Sequence, residues 1–171
     1  TGGKDIIELV ESITWSGDTK EVSRKLSFVI YQNEKDKQMP KVSINAGDDI
    51  ILQDDKGKAI FGGVIHKIDR NSAAKTMTYL AYDLLFYVSR SEISKIFDNT
   101  PESITKTICD DLGIPTGSIE KTGIKVYYPC LQKTAYEAIM IAYTYAGRTN
   151  GNIYIPLMKD INKLCVIKKG Q

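Results

Sequence analysis

The single histidine of the chain, His66, is the first candidate for acid–base catalysis, because imidazole titrates near neutral pH. It shares strand parity with Val64 and Ile68, and a lone histidine in a strand is more often a hydrogen-bonded structural residue than a general base. No serine or cysteine motif accompanies it, and the hydrolase pattern Gly-x-Ser-x-Gly is absent. We therefore expect a structural histidine.

Adjacent carboxylates are the next candidates, since glycoside hydrolysis needs two acids placed across a cleft. The pairs are Asp48-Asp49, Asp54-Asp55 and Asp110-Asp111. The first two pairs lie in predicted turns, and the third lies on the polar face of a predicted helix. The segment from Asp54 to Lys58 lacks the alternating oxygen ligands of a calcium loop, and its lysines repel a cation. Turn chemistry and solvation explain all three pairs.

Three widely spaced cysteines, Cys109, Cys130 and Cys165, lack the C-x-x-C spacing of zinc sites and redox motifs. An odd, scattered set is typical of reduced, buried thiols in a protein made in the cytosol. A phosphate-binding loop is not predicted either, because no Gly-Lys-Ser/Thr follows Gly62-Gly63. We expect no metal, no cofactor and no enzymatic activity.

Composition excludes other classes of function. The 171 residues weigh 19.1 kDa, and 42% are hydrophobic and 26% charged, as in soluble globular proteins. The net charge of +2 predicts no strong attraction to nucleic acid or anionic lipid, and no apolar run is long enough for a bilayer. Because the chain begins at Thr1 without methionine and ends at Gln171 after a strand-like segment, we expect a fragment of a longer polypeptide.

Residues up to about 93 read as β-structure. Most even positions from Val22 to Ile30 are apolar and their neighbours are mostly polar, and Ile7, Leu9, Ile13 and Trp15 share one parity. This pattern predicts a long antiparallel hairpin that turns at Ser16-Gly17-Asp18. After a charged loop from Asn33 to Gln38, further strands are predicted at these positions: Val42 and Ile44, Ile50–Leu52, Ala59–Ile68 and Thr76–Tyr82. The double glycine Gly62-Gly63 predicts a bulge or sharp bend, which curls a small sheet towards a barrel.

Residues 94–171 change period and predict a compact α/β domain. Thr100-Pro101-Glu102, with the threonine hydroxyl as the cap, begins a helix that ends at Gly113 and whose buried stripe is Ile104, Ile108 and Leu112. Thr134 with Glu137 forms a capping box for a second helix that ends at Gly147. The second helix is apolar nearly all round, so we expect it to be covered on more than one side. A short strand (124–128) and a C-terminal hairpin (153–167) complete the domain. The predicted fold class is α+β, with a small antiparallel β-barrel followed by this inserted domain.

The content of ten tyrosines is the one unusual feature of the composition. Tyrosine is amphipathic and enriched at protein interfaces, and it also forms stacking platforms for carbohydrates and bases. We therefore predict an assembly interface at the double glycine and at tyrosines near the junction and in the second domain. The predicted interface residues are Gly62, Gly63, Tyr79, Tyr82, Tyr87, Tyr127 and Tyr128.

Three stretches, taken in their order along the chain, resemble the XkdQ/YqbQ-type tail proteins of prophages and phage-like particles. The first is the opening hairpin, Ser12 to Asp18 with Ser23-Arg24-Lys25-Leu26, and the second is Gly47-Asp48-Asp49 with the strand that contains Phe61-Gly62-Gly63. The third is Ala81-Tyr82-Asp83 through Arg90, followed by Ile108 to Ile114. The likeness covers nearly the whole chain.

The resemblance implies a baseplate hub of a contractile tail, synthesised in the bacterial cytoplasm and located in the virion tail. Such hubs form trimeric rings that join the tail tube to the central spike, and their two related β-barrels carry an inserted α/β domain. The implied partners are further copies of the chain, the spike and tube-initiator or other baseplate proteins. Two alternatives remain open: a module associated with a peptidoglycan hydrolase, and a host-glycan binder that uses the tyrosines.

Overall fold

The computed structural model describes residues 3–17, 22–32, 42–159 and 161–170. The chain divides into two compact units, one that ends at Asp83 and one that begins at Leu84. The predicted boundary near residue 93 lies about ten residues later in the chain. The predicted loop from Asn33 to Gln38 and the turn residue Asp18 lie outside the described residues.

The first unit is one five-stranded antiparallel sheet that curls into a half-barrel, with the strand order β1-β2-β5-β4-β3. A short 3-10 helix at Ile7–Leu9 precedes the strands, which are β1 (Val10–Ser16), β2 (Lys25–Tyr31), β3 (Asp49–Gln53), β4 (Ala59–Asn71) and β5 (Thr76–Tyr82). The inner side chains form one core, whose buried members are Leu26, Phe28, Ile30, Phe61, Ile65, Tyr79 and Ala81. The predicted α+β class with a curled antiparallel sheet is confirmed, and so is the opening hairpin, since β1 pairs with β2.

No strand forms at Val42 and Ile44, although the alternation predicts one. The backbone turns there because the amide of Asn45 donates to the Asp48 carboxylate at 2.7 Å. Gly47 follows with a positive φ of 95°, and its amide donates to the carbonyl of Ile65 at 2.8 Å. The side chain of Ile44 still packs against the core.

The bulge lies at His66 rather than at the double glycine. The register between β4 and β5 shifts between Ile65 and Lys67, whereas Gly62 and Gly63 pair regularly with β3. Gly63 is required for a different reason, because a Cβ atom there would lie 2.6 Å from the carbonyl oxygen of Tyr82. The glycine permits a close backbone approach between neighbouring strands.

A buried ion pair connects the strands of the half-barrel. Asp83, which follows β5, has no exposed surface, and its Oδ2 accepts hydrogen bonds from the backbone amide and Nε of Arg24 at 3.2 and 3.0 Å. The amide of Asp83 donates back to the carbonyl of Arg24 at 3.1 Å. The guanidinium lies 5.8 Å from the ring centroid of Phe61. The pair therefore joins the start of β2, the end of β5 and the interior of β4.

Within its described residues, the second unit combines three helices with two small sheets. The helices are α1 (Leu85–Val88), α2 (Pro101–Leu112) and α3 (Ala135–Asn150). One sheet pairs β6 (Glu92–Asn99) with β8 (Val126–Thr134), and the other has the order β7-β10-β9, with β7 at Thr116–Ile119, β9 at Tyr154–Lys159 and β10 at Lys163–Lys168. The core contains the predicted stripe residues Ile104 and Ile108. No helix in the described ranges combines the length and the apolar character needed to cross a bilayer.

The helix signals were accurate at three of the four ends. Helix α2 begins at Pro101 and stops at Gly113, and the capping box of Thr134 and Glu137 forms as predicted. Helix α3 continues past Gly147 to Asn150 and stops at Gly151, whose φ is 72°. Packing requires a glycine at position 147, because a Cβ atom there would lie 2.5 Å from the carbonyl oxygen of Asn152.

Two further differences concern a hydroxyl and a strand face. The hydroxyl of Thr100 does not cap α2 and donates to Ser103 Oγ instead, at 3.1 Å. In β9 the alternation predicts a strand correctly, but Tyr154, Pro156 and Met158 are the buried residues, and the opposite parity is more exposed.

The carboxylate of Glu102, in the first turn of α2, binds the loop before β8 through hydrogen bonds. It accepts hydrogen bonds from the hydroxyl and amide of Thr122 at 3.0 and 3.2 Å and from the amide of Gly123 at 3.1 Å. Burial raises the pKa of Glu102, but these bonds outweigh it and the net pKa is lowered.

The ion pair yields a prediction about stability. Arg24→Met removes the cation that faces a fully buried carboxylate, so we expect it to destabilise the first unit by roughly 3 to 5 kcal/mol. Urea unfolding followed by the fluorescence of Trp15, the one tryptophan, measures this change. The control Lys67→Met removes a partner of the exposed Lys67–Asp69 pair, which we expect to cost less than about 1 kcal/mol. Equal losses in the two variants would contradict the structural role of Arg24.

Glu102 yields a prediction about pH. A carboxylate whose pKa is lowered on folding stabilises the protein fully above its unfolded pKa, and this stabilisation is lost as the pH falls through the folded value. We expect Glu102→Gln to have a lower melting temperature at neutral pH and a smaller further loss on acidification than the unchanged chain. Thermal unfolding across the acid range measures this, with Glu92→Gln, an exposed glutamate of β6, as the control. An acid dependence in Glu102→Gln as steep as in the unchanged chain would contradict it.

Candidate assembly interface

His66 and the paired acids occupy structural positions. The exposed His66 lies at the bulge of β4, and its ring meets that of Tyr82 edge-on, with 5.7 Å between centroids. Asp54 accepts hydrogen bonds from the amides of Lys56 and Lys58 in the hairpin turn, and Asp111 forms an ion pair with Lys95. In the part of the chain that the structure describes, no three His, Cys, Asp or Glu side chains gather as metal ligands do.

The three cysteines are buried and form no disulfide. Burial and, to a smaller extent, the neighbouring Asp110 carboxylate raise the pKa of Cys109 to about 12. The Cys109 thiol is therefore protonated at neutral pH and is a poor nucleophile.

The predicted interface tyrosines separate into buried and exposed members. Tyr79 stacks on Phe28 inside the half-barrel, with 5.0 Å between ring centroids. Tyr128 lies in the core of the second unit, where its hydroxyl donates to the carbonyl of Ala138 at 2.7 Å. Burial raises the pKa of both hydroxyls. These two tyrosines stabilise the fold.

The other three predicted tyrosines reach the surface to different extents. Tyr82 is half-buried beside His66, Tyr87 is 38% exposed and Tyr127 is 70% exposed. Gly62 and Gly63 lie within the sheet and bring no side chain to the surface. The role of the seven residues in an interface stays a prediction, and Tyr127 is the member best placed to contact a partner.

One candidate surface is the open seam of the half-barrel. In the described residues β1 pairs only with β2 and β3 only with β4, so each leaves one row of backbone groups without a neighbouring strand. Both edges border a cleft of about 350 Å³. The floor of the cleft includes Leu26 and Phe28. An apolar cleft between two unpaired strand edges is suited to receive a further strand.

The second candidate surface is the outer face of the β6–β8 ribbon. Ile96, Tyr127 and Leu131 are 66%, 70% and 65% exposed, and Ile96 pairs across the ribbon with Pro129. Asp98, the cross-strand partner of Tyr127, forms an ion pair with Lys125 at 2.9 Å. We call this set, Ile96, Tyr127, Pro129 and Leu131, the ribbon patch. Contiguous exposed apolar side chains of this kind are typical of protein contact sites.

The sequence did not predict Ile96, Pro129 and Leu131 as part of a surface. Their common face follows from the register of β6 on β8, and β6 was not recognised as a strand. The segment from Val126 to Leu131 is apolar or aromatic throughout, so its alternation in burial is visible only in the structure.

Two solved structures share this fold. The tail protein from Neisseria meningitidis MC58 matches with a TM-score of 0.62 and 14% sequence identity, over 90% of this chain and 44% of that protein. The 43 kDa tail protein of prophage MuSo2 from Shewanella oneidensis matches with a TM-score of 0.61 and 11% identity, over 92% of this chain and 53% of that protein. The fold is thus one found in phage tail proteins.

The model of the YQBQ-like family matches residues 13–171, and the chain belongs to this family. Its curated relatives in Bacillus subtilis (strain 168) include the phage-like element PBSX protein XkdQ, 29% identical over 152 residues, and the protein YqbQ, 30% identical over 122 residues. These matches cover 86% and 70% of this chain but 45% and 36% of the relatives, so the chain spans less than half of their length. The resemblance to XkdQ/YqbQ-type proteins is confirmed.

The close approach at Gly63 yields a prediction. In Gly63→Ala the new methyl group meets a backbone oxygen and the ring of Phe61, so we expect a loss of roughly 1 to 3 kcal/mol in the first unit. The control is Gly3→Ala, where a Cβ atom meets nothing within 4 Å and a change within about 0.5 kcal/mol is expected. Urea unfolding of both variants measures the difference, and an unchanged stability in Gly63→Ala would contradict the packing described here.

Proposed function

We propose that this chain is a structural part of a phage or phage-like contractile tail, a baseplate hub subunit that joins the tail tube to the central spike through protein contacts. Membership of the YQBQ-like family and a fold found in tail proteins support the proposal. The observation that carries it is the half-barrel whose two unpaired edges border an apolar cleft. Such a sheet is completed by adding strands, and no catalytic group is needed for that role.

The seam is the proposed site of barrel closure. Ile13 of β1 and Ile51 of β3 border the cleft and are 39% and 47% exposed, so an added strand would bury both. Since the relatives are more than twice as long as the matched regions, we propose that further chain of the full-length protein supplies this strand. On this proposal the first unit, which ends at Asp83, is the first barrel and the unit that begins at Leu84 is the inserted domain, in place of the predicted division into residues 1–93 and 94–171.

The ribbon patch is the proposed contact between subunits and partners. Three side chains that are each about two-thirds exposed offer an apolar area that water solvates poorly and that a neighbouring protein can cover. The proposed occupants are further copies of the full-length protein, as a trimer, and the spike and tube-initiator or other baseplate proteins. The protein would be synthesised in the bacterial cytoplasm and act in the tail of the particle.

Genetic complementation tests the proposal. We expect deletion of the gene from its host to yield particles without complete tails in electron micrographs, and the unchanged gene to restore them. A gene with Ile96→Glu and Leu131→Glu together should fail, because each carboxylate would have to be buried in the contact.

The matched control is Ile161→Glu, which alters a side chain that is 45% exposed in the turn between β9 and β10. We expect this variant to restore tails fully. Complete tails after deletion would refute the proposed function, whereas complete tails with the double variant would remove only the ribbon patch from it. Accumulation of each variant in cells is measured beside the micrographs, so that loss of folding is recognised.

A further inference from the structure

Helix α3 buries one side in the core of the second unit and leaves the other side partly exposed. Its buried residues are Ala135, Ala138, Ile139, Ala142, Tyr143, Ala146 and Gly147. The exposed side is mixed: Glu137, Thr144 and Arg148 are polar, whereas Met140, Ile141 and Tyr145 are apolar and partly exposed. Ile141 packs in part against the core, and the ring centroid of Tyr145 lies 5.9 Å from that of Tyr128. Apolar side chains bordered by polar ones are the usual composition of a protein contact surface.

The exposed side of α3 has a ridge with a groove on each flank, which is the shape of a surface that packs against another helix. Met140, Thr144 and Arg148 are four residues apart and form a ridge along the helix. A cavity of about 380 Å³ lies on one flank of the ridge, lined by Glu137, Ile141 and Tyr145 among others. A second cavity of about 290 Å³ lies on the other flank and is bordered by residues up to Tyr154. Grooves on both sides of an i, i+4 ridge are the shape into which the ridges of a second helix fit.

The charges on this surface favour an acidic occupant. Lys133 lines the larger groove near the start of the helix, and Arg148 lies near its end, 5.6 Å from the ring centroid of Tyr145. The acid of this groove, Glu137, accepts hydrogen bonds from the amide and hydroxyl of Thr134 in the capping box. The backbone bond lowers the pKa of Glu137, and Lys133 lowers it further. Residues 84–171 also contain eleven Lys and Arg against eight Asp and Glu, so the unit as a whole is cationic.

We propose that the ridge Met140–Thr144–Arg148 and its two grooves bind a helix of a partner protein that has an apolar stripe and carboxylates at both ends of the contact. The stripe covers Met140, Ile141 and Tyr145, and the carboxylates face Lys133 and Arg148. A second copy of the chain is a poorer occupant, because it brings the same cationic unit. This inference rests on the proposed function, since it names the chemistry of a partner in the same assembly.

Peptide titration of the whole chain tests the inference. The probes are three synthetic peptides of about 18 residues, long enough for a five-turn helix. The first has leucines at i, i+3, i+4 and i+7 with flanking glutamates, the second has lysines in place of the glutamates, and the third scrambles the first. Fluorescence anisotropy measures affinity, and amide chemical shifts of the isotope-labelled chain locate the contact.

We expect the acidic amphipathic peptide to bind at least about tenfold more tightly than the other two, with shift changes centred on Met140, Thr144 and Tyr145. Arg148→Glu should weaken its binding about tenfold or more, and Met140→Glu should do the same. The control Lys106→Glu, on the exposed side of α2, should leave the affinity unchanged. Thermal unfolding of each variant shows that the fold is retained.

Equal binding of the acidic and basic peptides, shift changes on another surface, or no binding would each overturn the inference. Sedimentation equilibrium shows whether the chain self-associates. If it does, and Arg148→Glu abolishes the self-association, the inference is also overturned, because the occupant of the grooves is then a second copy. The two proposals fail in different ways. Complete tails after gene deletion refute the proposed function, whereas tails that need the gene together with unselective peptide binding refute only the helix contact.

Discussion

The buried carboxylate of Asp83 organises the half-barrel. Placing a charge where no surface is exposed is costly unless it is paired, and Arg24 supplies both a backbone amide and a guanidinium nitrogen to it. Because Arg24 precedes β2 and Asp83 follows β5, the pair holds together the ends of two central strands. The two strands that remain at the edges, β1 and β3, then border the same cleft. The open seam thus depends on an interaction between two neighbouring strands in the middle of the sheet order.

The core of the second unit packs around helix α3. Helix α3 supplies seven buried residues to a core that two small sheets and α2 share, and five of the seven are alanine or glycine. Small residues let the neighbouring elements approach closely, as the contact between Gly147 and Asn152 illustrates. Two larger apolar side chains of the helix, Ile139 and Tyr143, are buried too, whereas Met140 and Tyr145 stay partly exposed on the opposite side. The side chains of the ribbon patch also face outwards. Among the described residues of this unit, four of the eight large apolar side chains that are exposed lie on these two surfaces, namely Ile96, Tyr127, Leu131 and Tyr145.

Local signals predicted much of the fold. The Thr134–Glu137 capping box, the stop at Gly113 and the alternation in β2 depend on residues close in sequence, and each prediction was confirmed. The reason for Gly63 was not predictable, because it depends on the carbonyl of Tyr82 in a neighbouring strand.

The sequence predicted the candidate interface less well than the fold. Tyr127 and Tyr128 are adjacent and chemically identical, yet one is 70% exposed and the other is 3% exposed, because consecutive strand residues face opposite sides. The parity of β8 could be inferred only once its pairing with β6 was known. Strand β6 was missed because its register shifts between Ile93 and Lys95, which interrupts the alternation of its apolar residues.

We propose that this chain acts by shape, as a sheet completed by other strands within a tail. Electron cryomicroscopy of assembled particles that contain the full-length protein is the decisive experiment. We expect density for the half-barrel at the junction of tube and spike, with a strand paired along β1 or β3 in the cleft. A complete tail without this density, or a half-barrel in the particle whose seam is open to solvent, would contradict it.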